Sequence, residues 1–278
     1  MLRPFSKASL NAAGLIQVIQ QACLPLFLLI FSCLQVHASD EHQRAIEELT
    51  ALGTKVLKDE RGRVMVGFPF AAPQSMLEDA AGPLKKLGSE IFAINLGDTL
   101  VTDIRPLKSL EKLEILVLTS TEVRDLSPLR SMSTLHTLDL RFVKLTDISP
   151  LQNLTKMRRL ALGKTAITDI SALSGLTALE QLDLTAVAIT DIEALRDMPN
   201  LRQLDIASTK VTNIRPLQAL PALEYINLSS LQLDDFAVLQ NFPALRLVVL
   251  IDTNISDEVS KRLKTAMPET KFDTGWGS

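Results

Sequence analysis

Apolar residues return along this chain at a fixed beat. At a period of 22, one apolar column runs Ile94, Leu116, Leu138, Leu160, Leu182, Leu204, Ile226 and Val248. A second, two residues later, runs Leu96, Leu118, Leu140, Leu162, Leu184, Ile206, Leu228 and Leu250, so an L-x-x-L-x-L core recurs in eight gapless copies. In L-x-L the leucines point to one side of a short strand and the residue between them to the other. One unit alone cannot cover its apolar side. Stacked, the units predict a curved parallel sheet with strands ~4.8 Å apart, each leucine packed on its equivalents above and below.

The rest of the unit reads T-x-I-T-D-I-x-P-L-x-x-L. Its acidic column is Asp103, Asp125, Asp147, Asp169, Asp191, Asp235 and Asp257, with Asn213 in the remaining copy, and proline follows at Pro106, Pro128, Pro150 and Pro216. Asp or Asn as N-cap, with Pro in the first turn, starts a short helical segment by accepting backbone N–H groups that lack a helical partner. Calcium would need clustered oxygen ligands that these copies lack, so capping is the expected role and the segments line the convex back. An unpaired terminal repeat exposes strand edges, so both ends need covers. SDEHQRAIEELTALG reads as a helix capped at Ser39 or Asp40, with Ala45, Ile46, Leu49 and Leu52 on one face and Gly53 as its stop. KVLKDERGRVMVGF reads as a hairpin turning near Arg61 and Gly62. SDEVSKRLKTAMPETKF reads as a closing helix capped at Ser256 or Asp257, then a short strand near Phe272, with Trp276 of the tail over the last strand.

LxLxxTxI followed by TDISPL resembles the short bacterial leucine-rich repeats of the internalin type, and the 22-residue period also resembles that of the regulatory leucine-rich subunit of protein phosphatase 1. The resemblance implies an α/β fold: a leucine-rich repeat solenoid with a curved parallel sheet, short helical or 3-10 convex segments, and N- and C-terminal capping modules. The expected layout is a secretory signal at 1–38, an N-terminal capping module of helix plus hairpin at 39–90, eight repeats at 91–256, and a capping helix and tail at 257–278. Those families usually carry an asparagine ladder where this chain has Thr99, Thr121, Val143, Thr165, Val187, Thr209, Leu231 and Thr253. Threonine can still hydrogen-bond backbone, whereas Val143, Val187 and Leu231 cannot, so packing should hold those turns.

The first 38 residues change the compartment. Arg3 and Lys7 precede the apolar run ACLPLFLLIFSCLQV, and Ala38 stands at the expected cleavage position with Val36 two before it. Interrupted by Pro25, the run is short of the about 20 residues a membrane span needs, so a cleaved leader is favoured and the mature chain should have no span. An alternative is that IFSC, loosely like a lipobox, makes Cys33 a lipid anchor and the protein an outer-membrane lipoprotein. Both cysteines, Cys23 and Cys33, lie in the leader, leaving the mature chain without thiol chemistry or disulfides. The net charge of -3 falls to -5 once Arg3 and Lys7 are removed, giving no basic excess for nucleic acid, and aromatics at 4% give no stacking platform.

Catalysis has no evident seat. The mature chain keeps only His42 and His136, with no metal-binding cluster, phosphate loop or nucleophile motif. Asp183 and Asp205 lie one strand apart, but the small residues around them supply no cleft for a paired-carboxylate mechanism. Sequons at Asn153, Asn227 and Asn254 arise easily in such a repeat and are read as incidental. No enzyme activity, cofactor or metal is therefore expected.

The non-leucine strand positions form the concave face, the usual ligand surface of such solenoids. Most are small. The predicted contact set for a protein partner is Asp139, Arg141, Phe142, Arg159, Lys164, Asp183, Asp205, Tyr225 and Asn227, since arginine and aromatics anchor interfaces more often than other residues. The competing reading is a solvated face with Asp139, Arg141 and Arg159 pairing among themselves. Ile115, Val117, Leu247, Val249 and Ile251, near the two ends, are expected under the capping modules or tail. The functional expectation is an exported, monomeric, non-catalytic protein-binding module, periplasmic or secreted. Its competitors are a lipid-anchored adhesin and a regulatory subunit of an enzyme.

Overall fold

The structure, a computed structural model, describes residues 40–275. The expected signal segment, the alternative of an anchor at Cys33 and the expected placement of Trp276 lie outside the described residues. Eleven strands form one sheet in simple chain order. β1 (Lys55–Lys58) and β2 (Val64–Gly67) pair antiparallel, and from β2 onward every pairing is parallel. The repeats supply β3 (Ile91–Asn95), β4 (Ile115–Val117), β5 (Thr137–Asp139), β6 (Arg159–Ala161), β7 (Gln181–Asp183), β8 (Gln203–Asp205), β9 (Tyr225–Asn227) and β10 (Leu247–Val249), and β11 (Lys271–Asp273) closes the stack. Register never slips within the array: Leu116 faces Leu138, Leu160 faces Leu182 and Leu204 faces Ile226. All sixteen residues of the two leucine columns are at most 2% exposed, so the beat read in the sequence is one continuous core. Each such side chain gains about 1.5–3 kcal/mol on burial.

Leaving each strand, the chain turns through a left-handed residue. Asp98, Ser120, Phe142, Lys164, Ala186, Ser208, Ser230 and Asp252 all have φ between 54 and 62°, and none is glycine. The N–H of this residue bonds the carbonyl of the next repeat, as in Ser120 to Arg141 at 2.9 Å and Lys164 to Thr185 at 2.8 Å, which helps hold a conformation that costs about 1–2 kcal/mol for an L-residue. One residue further, Thr99, Thr121, Thr165, Thr209 and Thr253 donate their hydroxyls to the carbonyl three residues back, at 2.7–3.0 Å. Val143, Val187 and Leu231 make that closure through backbone N–H alone, at 3.1–3.2 Å, with their side chains fully buried. Threonine replaces the asparagine ladder where it can, and packing does so elsewhere. Thr165→Val should therefore cost only about 1 kcal/mol in a urea titration, the net worth of one hydrogen bond whose carbonyl keeps its backbone donor. A loss above twice that would mean the hydroxyl organises more than this turn.

The acidic column acts one residue earlier than an N-cap. Each convex segment is a short 3-10 helix, such as Ser149–Leu151, whose N-cap is Ile148 and has no side-chain bond. The Asp147 carboxylate instead accepts the N–H of Ser149 at 2.8 Å, and Asp103, Asp125, Asp169, Asp191, Asn213 and Asp235 do the same two residues on. A 3-10 segment this short is entered through an Asx turn, which places the acceptor outside the helix. The backbone N–H of Ser127 and Ser149 holds the Asp125 and Asp147 carboxyls below the usual range. Their contribution is present above the ordinary carboxylate pKa and fades as pH falls through the lowered one. At the C-terminal end, α3 (Asp257–Ala266) is a true helix capped by Ser256, whose side chain accepts from the Val259 N–H.

The N-terminal module holds more than a helix and hairpin. Between α1 (Asp40–Ala51) and the first repeat, besides the hairpin, lies a second helix, α2 (Gln74–Leu87), with Leu77, Ala80, Leu84 and Leu87 buried. Pro83 sits inside it and breaks the pattern by which a helix is recognised. α2 replaces the missing preceding repeat. Gln74 accepts the N–H groups of Thr102 and Asp103 at 3.0 and 3.1 Å and donates to the Asp103 carbonyl, while Ala71 adopts the same left-handed turn at φ 55° and bonds Asp98.

Candidate protein-binding face

The strand positions turned away from the leucines carry the candidate residues, which the structure sorts by exposure. Asp139, Tyr225 and Asn227 are 3, 7 and 7% exposed, so the sheet itself holds them more than solvent does. Arg141, Asp183 and Asp205 are half-buried, and Phe142, Arg159 and Lys164 are exposed.

Asp139 and Asn227, the buried acceptors, have structural partners. Asn95, Asp139, Asp183, Asp205 and Asn227 each accept the N–H two residues on, at 2.8–3.1 Å, so this column finishes five of the eight repeat strands much as the Asp and Asn column starts the convex helices. The expected pairing among Asp139, Arg141 and Arg159 takes the form of a fork from Arg141 to Asp139, with Nη2 at 2.6 Å from Oδ2 and Nε at 3.0 Å from Oδ1, while Arg159 stays exposed one strand away. Along the column, Asn227 donates to Asp205 at 2.9 Å. Burial, then the charge of Asp183, pushes the Asp205 carboxyl above its ordinary pKa despite these donors. Burial likewise raises Tyr225, helped by Asp205 and Asp183.

Phe142 and Lys164 meet at the strand-exit edge of the face, and Arg159 stands at the strand entrance. Phe142 is 50% exposed in the left-handed turn, and the Lys164 ammonium lies 4.7 Å from its ring centroid. For a bulky residue this backbone is a genuine outlier. Arg159 is on the neighbouring strand of the same face. Of the end residues, Val249 is buried, Ile115, Val117, Leu247 and Ile251 are half-buried, and Gly275 lies so close that a Cβ there would meet Ile251 at 3.2 Å.

Two features escaped the sequence reading. Phe70 and Leu100 are 85 and 54% exposed, in the cap and first repeat, and the 22-residue columns could not flag Phe70 because it lies outside them. A charged column also enters the strands. Arg63 lies 2.8 Å from Glu114 and stacks on Phe92, His136 is 3.5 Å from Glu114, and Arg158–Glu180 and Arg202–Glu224 pair at 3.5 and 2.6 Å. Alternation at that column is legible once its position is known. Among the described residues no cluster of three metal-type ligands occurs, and no helix is long and apolar enough to cross a membrane.

A profile of two copies of the leucine-rich repeat matches residues 199–241. No curated protein matches the chain. Among solved structures, an internalin of Listeria monocytogenes, InlF, is 24% identical with a TM-score of 0.66, covering 73% of this chain and 65% of its own. Internalin C2 of the same organism is 28% identical with a TM-score of 0.59, covering 76% of this chain and 92% of its own. A leucine-rich repeat protein of Leptospira interrogans is 18% identical at a TM-score of 0.52, covering 69% of this chain and 62% of its own. The chain thus spans about two thirds of InlF.

Proposed function

We propose that this chain, a leucine-rich repeat solenoid similar to the internalins, is an exported, non-catalytic module that grips a protein partner with its concave face. The carrying observation is Phe142. An aromatic ring half in solvent, on a backbone that disfavours bulk and under a lysine, costs stability and is explained by a contact it makes elsewhere. Export is supported by the leader-like segment at 1–38. The flat, small-residue face around the edge suits approach by a partner and supplies no water-excluding cleft for chemistry.

Phe142→Gly combined with Arg159→Ala and Lys164→Ala tests this. Glycine relieves the left-handed strain, so folding should be unharmed. Arg141 and Tyr225 are left intact because the first is in a buried ion pair and the second is buried. A partner recovered from the native compartment by the unaltered chain should bind the triple variant at least tenfold more weakly, and a convex variant, Lys108→Ala with Gln152→Ala, unchanged. Equal binding by all three chains would place the contact off this face.

A further inference from the structure

Beside the Phe142 edge, the concave face holds a polar cluster that its own contacts leave incomplete. Asp183 and Asp205 are register partners on β7 and β8, facing the same way. Among the described residues neither is in an ion pair. Asp183 accepts one backbone N–H, from Thr185, and its carboxylate lies over Gly163, where even a Cβ would come within 3.1 Å of both oxygens. Asp205 accepts from the Ala207 N–H, the Asn227 amide and the Thr185 hydroxyl. The third member is Tyr225: it is 7% exposed, its hydroxyl is buried with no hydrogen-bond partner, and it lies within the field of both carboxylates. A buried hydroxyl without a partner within the chain is uncommon and leaves Tyr225 free to accept or donate a further hydrogen bond. Two carboxylates and a phenol offer acceptors and negative charge, and their neighbours supply no cation. Hard metal ions want six or more oxygen ligands, more than this cluster presents. A primary ammonium brings three donors, no acceptor and one positive charge, which matches these three acceptor groups in number and their charge in sign.

Resting on the protein-binding reading above, we infer that Asp183, Asp205 and Tyr225 form a subsite for a lysine side chain of the partner, whose ammonium bridges the two carboxylates and donates to the Tyr225 hydroxyl. Asn227 and the backbone N–H of Thr185 orient the carboxylates, and Gly163 keeps room for Asp183. The subsite lies on the same face as the exposed Lys164, so a partner would present a base to β7–β9 and an acid to Lys164.

The test needs no partner. Nα-acetyl-lysine N-methylamide is titrated into the purified chain while the side-chain carboxyl carbons of Asp183 and Asp205 and the ring of Tyr225 are followed by NMR; the norleucine analogue, which keeps the four-carbon chain and lacks the ammonium, is the control. Saturable shifts at all three residues are expected with the lysine compound, at least tenfold weaker with norleucine. They should vanish in Asp183→Asn with Asp205→Asn. Should that double variant fail to fold, Asp183→Asn alone should weaken binding at least threefold and bring the Asp205 carboxyl back toward its ordinary pKa. Equal shifts from norleucine, or lysine shifts that persist in the variants, would overturn the subsite. A partner that loses affinity with the Phe142 variant but keeps it with the aspartate variants would overturn the subsite while leaving the binding face standing. A partner insensitive to both sets would instead count against the face.

Discussion

Leu162→Ala should lower the free energy of unfolding by about 3 kcal/mol, read from a urea titration with tryptophan-independent circular dichroism. The residue is fully buried between Leu140 and Leu184, its equivalents in the neighbouring repeats. Truncation removes both contacts and leaves a cavity that rigid strands on either side cannot close. The effect should also spread. Because each repeat touches only its neighbours, a weakened interface in the middle of the array divides the stack, and the transition should broaden or split rather than merely shift. A sharp two-state transition moved by less than 1 kcal/mol would mean that the strands can collapse on the void, contrary to the zero-slip register.

The second large effect comes from the concave face. Arg141→Leu should cost about 3 kcal/mol, because it strips the counter-charge from a carboxylate whose side chain is only 4% exposed. Adding Asp139→Asn should recover most of that loss, since the amide still accepts the backbone N–H at position 141 and no longer carries a buried charge. Asp139→Asn with Arg141→Leu therefore forms a double-mutant cycle with a coupling well above the 0–1 kcal/mol of a surface pair. Additive losses would show that the fork is a surface contact after all. The outcome bears on function as well as stability. A residue needed to keep the sheet intact is a poor choice for reading a partner's contribution, and binding data from Arg141 variants need the folding measurement beside them.

The repeat array was legible because its signal is redundant: eight copies vote for each column, and Leu96 and Leu250 fall in register 154 residues apart. The turns were partly legible. A threonine column announces a hydrogen bond, yet the sequence could not say that Asp147 serves Ser149 from outside the helix, because the N-cap and the Asx turn use the same residue types. α2 was missed because Gly82 and Pro83 interrupt the apolar spacing, and because it occurs once. On the concave face, residue type suggested contact, but exposure decides it. Tyr225 and Phe142 read alike in the sequence; one is 7% exposed and the other 50%. What separates them is position: Tyr225 lies within β9, whereas Phe142 lies in the left-handed turn after β5.

The alternating column at the strand entrances constrains how such a molecule can change length. Arg158, Glu180, Arg202, Glu224 and Arg246 follow one another with opposite signs. Excising a single 22-residue unit from this stretch would set arginine beside arginine or glutamate beside glutamate, whereas excising two restores the alternation. With each like-charge contact costing a few tenths of a kcal/mol, the bias is mild but directional: this part of the gene should tolerate even steps of duplication or loss better than odd ones.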